Sequence, residues 1–214
     1  MNPLVARKKL GRPCAVDPGE TRKRLILEAR RLFAEIGYDA TTNRLVADAV
    51  GITTGAIYHY FPSKKEMYIA AYAEVQEMVY GALENAVAGQ ELFVDKFSSM
   101  LDALAAISTQ EPSFVGFVVG VSAESQRHPE LTQDLRSLRS RTVKFLHEIC
   151  EEAVRKGEVN EGITGQLLHD MIDVVISGLS RFSHVVDDAD RRRNVVDGLK
   201  LLMAGTLLRS PVAR

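Results

Sequence analysis

Tyr58, His59, Tyr60 and Phe61 stand in an unbroken row inside GITTGAIYHYFPSKKEM, Gly51 to Met67, and no helix can bury all four. On a helix Ile57 and Phe61 share one face with Tyr60 at its edge, which leaves Tyr58, His59 and the preceding Thr54, Gly55 and Ala56 on or near the outer side. Exposed aromatic side chains with polar tips can bond phosphates and pack against thymine methyl groups, and small residues at a helix start let backbone approach base edges. The chemistry this set suits is contact with nucleic acid, although Tyr and His can equally cap a small helical core. No other pattern competes with it. The chain shows no spacing of nucleophile, base and orienting group, no Gly-rich phosphate loop and no HExxH motif, so neither an enzyme nor a cofactor or metal site is expected. Cys14 lies in a polar arm and Cys150 on an apolar helical face, which predicts neither a disulfide framework nor a ligand set.

Local signals supply the frame for those residues. Asp17-Pro18-Gly19-Glu20 reads as an N-cap followed by Pro at the first helical position and an acid at the third, and Leu25, Ala29, Leu32, Phe33 and Ile36 then share one face. Gly37 is expected to end that helix. Thr41-Thr42 opens a short second helix carrying Val46, Ala49 and Val50, and Gly51 supplies the positive φ that a tight turn needs. Thr53 caps the next helix, with Ile52 and Ile57 as a hydrophobic staple, and Pro62 stops it at Phe61. Ser63-Lys64-Lys65-Glu66 is a capping box that launches a longer helix towards Gly89. Two short helices joined by a turn containing Gly form a helix-turn-helix, whose second helix enters the major groove.

Charge divides the chain. Residues 1–67 carry 12 Lys/Arg against 7 Asp/Glu, a net of +5, whereas 68–214 carry 15 against 21, a net of −6. One end is suited to a polyanion and the body is not. The 214 residues suffice for a sizeable core, no apolar run approaches a bilayer span, and the N-terminus lacks a secretory pattern, so a cytoplasmic location without membrane contact is expected.

Residues 20–67, through AxxLFAEIGYDATT and VADAVGITTGAIYHYFPSKKEM, resemble the N-terminal DNA-binding domain of TetR-type transcriptional regulators. The resemblance implies an all-α fold, a three-helix DNA-binding domain followed by a larger helical ligand-binding and dimerisation domain. It places Thr42 and Lys64 at phosphates, Tyr58 with His59 or Tyr60 as a clamp on the backbone, and Arg44, Thr54, Gly55 and Ala56 near base edges. Thr53 completes the candidate set. Asn43 departs from the apolar or small residue usual at its place. Ahead of this domain, Gly11-Arg12-Pro13 is similar to the core of AT-hook peptides, with Leu10 where Arg is usual. A slim, extended Gly-Arg-Pro backbone lets Arg12 enter a narrow minor groove, and a basic arm, disordered without DNA, that only adds non-specific attraction fits the same residues. The expected division is an arm at 1–16, the helix-turn-helix domain at 17–67 and the body at 68–214.

The body reads as helices over 92–107, 111–126, 129–157, 164–186 and 188–208. The last two are apolar around more than half their circumference, and Leu168, Ile172, Val175, Leu179, Val195, Leu199 and Leu202 are the expected contacts of a homodimer. Two-fold symmetry would demand a pseudo-palindromic double-stranded operator. By the resemblance, an apolar pocket lies among residues 97–180, with Phe97, Met100, Leu104, Phe114, Phe117, Val121, His147, Met171 and Val175 as candidate contacts. Its occupant is expected to be an unidentified apolar or amphipathic small molecule that weakens DNA binding. The alternative is a constitutive DNA-binding or architectural protein without an effector.

Overall fold

The computed structural model describes residues 17–205, and Arg12 and Cys14 lie outside them. The described residues form α1 (Pro18–Ala40), α2 (Asn43–Val50), α3 (Thr54–Ile57), α4 (Lys64–Val87), α5 (Phe93–Gln110), α6 (Pro112–Arg127), α7 (Pro129–Arg155), α8 (Gly165–Val185) and α9 (Ala189–Met203), with no strand among them. Several starts are fixed by a side chain that accepts a hydrogen bond from an otherwise unpaired backbone N–H: Asp17, Thr42, Thr53, Ser63, Thr164 and Asp188. α6 and α7 instead begin on Pro, whose missing N–H costs nothing there.

Three element ends differ from the sequence reading. Gly37 takes φ 79° and ψ 173° and breaks α1, but one further helical turn reaches Ala40. Regular helix in α3 stops at Ile57; Tyr58 to Tyr60 form tighter turns, with the His59 N–H on the Ala56 carbonyl at 3.2 Å and the Tyr60 N–H on the Ile57 carbonyl at 2.9 Å. Pro62 excludes helical geometry at Phe61, so the chain tightens before it. α9, expected to about residue 208, ends at Met203 with Ala204 as its C-cap. On α2 Val46, Ala47 and Val50 are buried and Ala49 is exposed.

One apolar cluster joins α1, α2, α3 and the first half of α4 to α6 and the start of α7. At its centre Phe117 of α6 meets Tyr68 of α4 with ring centroids 5.1 Å apart, and Phe33 of α1 lies 4.8 Å from Tyr68. Polar contacts fix α6 on α1 at both ends. The buried Arg30 guanidinium donates to Ser113 Oγ at 3.0 Å and pairs with Glu111, while the buried Glu124 accepts from the Tyr38 N–H at 3.4 Å. A second cluster unites the end of α4 with α5, α7, α8 and α9.

Candidate nucleic-acid interface and internal cavity

α2 and α3 meet at Gly51, whose φ of 79° and ψ of 32° reverse the chain so that Val46, Val50 and Ile57 bury together. The candidate contacts gather along the outer side of this turn. Tyr58 is 54% exposed, and His59 and Gly55 are exposed beside it; Thr54, Ala56 and Tyr60 are half-buried. Thr42 and Thr53 use a lone pair to accept from the Leu45 and Ala56 N–H groups, each at 3.2 Å, which keeps each hydroxyl proton for an outside acceptor. Arg44 is exposed and only loosely engaged, 3.7 Å from Asp48 one turn on.

The positive charge of this end is partly internal. Arg24 donates to the Val50 carbonyl at 3.0 Å and so closes the end of α2, and Arg30 is buried as described. The Lys64 ammonium, expected at a phosphate, donates to the Tyr38 carbonyl at 2.7 Å and the Asp39 carbonyl at 3.3 Å and sits 4.3 Å from the Tyr38 ring centroid. Its first role is to hold the end of α1 against α4. Asn43 is half-buried, with Oδ1 lacking a hydrogen-bond partner.

In the body, α4 to α9 line a partly open cavity of about 1350 Å³. Of the candidate contacts, Leu104, Phe114 and Val121 line it. Phe97 and Met100 are instead buried in the second apolar cluster, and Phe117 in the ring stack of the first. His147 stands outside the wall, its ring 5.9 Å from that of His169, and Val175 packs on the second cluster. Met171 is 48% exposed and points away from the core.

The polar part of the wall was not anticipated. Arg139 of α7 pairs with Asp173 of α8, so Asp173 does not pair with His169 one turn before it. Thr142 Oγ1 bonds Gln76 Oε1 at 3.3 Å, and Tyr72 completes this end of the wall. Burial pushes the Tyr72 phenol up from its ordinary pKa, with the Arg139 charge opposing and the Asp173 charge reinforcing the shift. The signal lies in the periodicity of α7: Leu131, Leu135, Leu146, Ile149 and Ala153 form a buried apolar stripe, Thr142 is its buried polar member, and Arg139 flanks it.

The expected dimer contacts divide by face. Leu168, Ile172 and Leu179 are buried against their own chain, and Val175, Val195 and Leu199 pack partly on the same core. Leu202 is 52% exposed. A stripe of Leu167, Met171 and Val174, about a hundred degrees round α8, is left open, with Val185 and Leu201 likewise exposed. Among the described residues no single helix is long and apolar enough to cross a membrane.

Residues 25–71 match the family described as bacterial regulatory proteins, tetR family. The chain is 25% identical over 194 residues to the HTH-type transcriptional regulator UidR of Escherichia coli, covering 89% of this chain and 94% of UidR. It is 26% identical over 177 residues to the HTH-type transcriptional repressor Rv1474c of Mycobacterium tuberculosis, with 82% and 89% covered. Its fold matches that of the transcriptional regulator FadR of Bacillus subtilis, solved in complex with stearoyl-CoA, at a TM-score of 0.71 and 20% identity over 86% of this chain and 98% of FadR.

Proposed function

From the premise that this chain is a TetR-type transcriptional regulator, we propose that it is a homodimeric repressor that binds a pseudo-palindromic operator and is released by a small molecule in its cavity. The observation that carries the reading is the helix-turn-helix itself: a turn set by Gly51, with Tyr58, His59 and Arg44 exposed on its outer side and no internal partner fixing the two aromatic tips. In this reading Thr42, Thr53, Tyr58, His59 and Tyr60 hold phosphates, and Arg44, Thr54, Gly55 and Ala56 meet base edges. Lys64 serves by positioning Tyr38 and Asp39, with its remaining donor turned to DNA. Arg12 adds a minor-groove contact.

Dimerisation through the open stripe of α8 and the exposed side chains of α9 sets two recognition units at a half-site spacing. A cavity large enough for a drug-sized molecule favours an effector over a constitutive binder. A ligand then acts by binding the released state better than the DNA-bound one.

Fluorescence anisotropy on the DNA upstream of the chain's own gene, against scrambled DNA across ~50 to 200 mM salt, tests this. Specific binding should survive the higher salt and weaken about tenfold or more in Tyr58→Ala and in Arg44→Ala. Equal, steeply salt-dependent binding to both DNAs, or variants that match the wild type, would refute the assignment of these contacts.

A further inference from the structure

The part of the chain after Met67 has a net charge of −6, from 15 basic and 21 acidic residues, and its cavity inverts that balance. The lining holds five of those basic residues, Arg136, Arg139, Arg181, Arg192 and Arg193, but only three of the carboxylates, Asp102, Asp173 and Asp197. Two of the three are already answered: Lys200 pairs with Asp102 and stands 3.7 Å from Asp197. Asp173 faces Arg139. Arg136, one turn before Arg139 on α7, lines the same wall without an ion pair. The lining also includes apolar side chains, Val75, Val79, Leu104 and Phe114 among them.

Arg136 and Arg139 are exposed side chains of this lining, and a planar guanidinium matches an oxyanion with two parallel bonds, so an occupant that joins an oxyanion to an apolar body suits both parts of the lining. The low-dielectric walls also focus the positive potential on the cavity, against the negative charge of the body around it. We propose that the cavity takes an amphipathic anion, its carboxylate or other oxyanion group held by Arg136 and Arg139 and its apolar body lying along Val75, Val79, Leu104 and Phe114. Arg139 exchanges Asp173 for the ligand, and the Tyr72 phenol supplies a neutral donor beside it. The inference rests on the effector reading for what binding does to DNA, and on the charge of the wall for what binds.

Two fluorescent probes with one ring system test it, 8-anilinonaphthalene-1-sulfonate, which is an anion, and N-phenyl-1-naphthylamine, which is neutral. The full chain should bind the sulfonate at least about tenfold more tightly than the neutral probe, the factor that a charged hydrogen bond carries. The double variant Arg136→Gln/Arg139→Gln should lose that preference and keep its affinity for the neutral probe, which shows that the apolar wall is intact. Lys144→Gln, on the outer side of α7, should change neither affinity. Equal affinities in the wild type, failure of both probes to bind, or a preference that survives the double variant would each overturn the proposal. Anisotropy with DNA in the presence of the sulfonate separates the two readings: a probe held by the arginines that leaves DNA affinity unchanged keeps the anion site and sinks release by a ligand.

Discussion

The recognition turn and the cavity wall satisfy their polar groups over different distances along the chain. In the turn, Thr42, Thr53 and Ser63 each accept from an N–H three residues ahead, and Gly51 supplies its own backbone geometry. In the wall, Arg139 finds its partner 34 residues away, Thr142 finds Gln76 at 66, and Lys200 finds Asp102 at 98. A site built from local bonds is written into a short stretch and tolerates change elsewhere. A site built from distant pairs exists only once several helices have packed, and its residues look ordinary until they do.

The contrast makes contributions from distant contacts the larger ones. Phe117→Ala removes a ring that α6 inserts between α1 and α4, and it should lower stability by about 3 to 5 kcal/mol, measured by denaturant unfolding. A loss below about 1 kcal/mol would mean that the two helices close over the gap and that the ring stack matters little. Gly51→Ala tests the local side. No atom lies within 4 Å of the added carbon, so only the positive φ resists it, and the expected cost is about 1 to 2 kcal/mol. Anisotropy should show a larger proportional loss of DNA binding for this variant than for Phe117→Ala at matched stability, because the turn sets the angle between α2 and α3.

The smallest effect is a matter of pH. Glu152 accepts from Lys156 and from Lys96, and these bonds hold its carboxyl at about 2, below its ordinary 4.5. A depressed carboxyl stabilises the fold above its ordinary value and loses that contribution as pH falls towards the folded value. Lys96→Met should therefore cost about 0.5 kcal/mol near neutral pH, and the difference from wild type should fade between about pH 4.5 and 2 in thermal melts. A difference that persists at the acid end would assign the effect of Lys96 to packing of its stem.

What was legible in the sequence follows the same division. The caps at Asp17, Thr42, Thr53 and Ser63, the positive φ at Gly51 and the outward side of Tyr58 all follow from neighbours in the chain. The wall of the cavity followed only in part, through Leu104, Phe114 and Val121, since periodicity marks a residue as inward without saying whether it meets core or open space. Phe97 and Phe114 have the same pattern, and only the second lines the cavity. α8 shows the limit in another form. Its apolar residues surround so much of the helix that Leu168 and Leu167 were equally eligible to face a partner, and packing on α7 and α6 buries the first and leaves the second open.

Phe117 sits on the far side of the chain's division at residue 67, yet it belongs to the core that holds the recognition turn. A fragment ending there would lose Phe114, Phe117 and Leu131 from its interior and the partners of Arg30 and Tyr38 as well. The border between the DNA-reading part and the body is thus one of labour rather than of packing: both sides contribute to one apolar cluster, and a transplanted reader would leave its α6 wall behind.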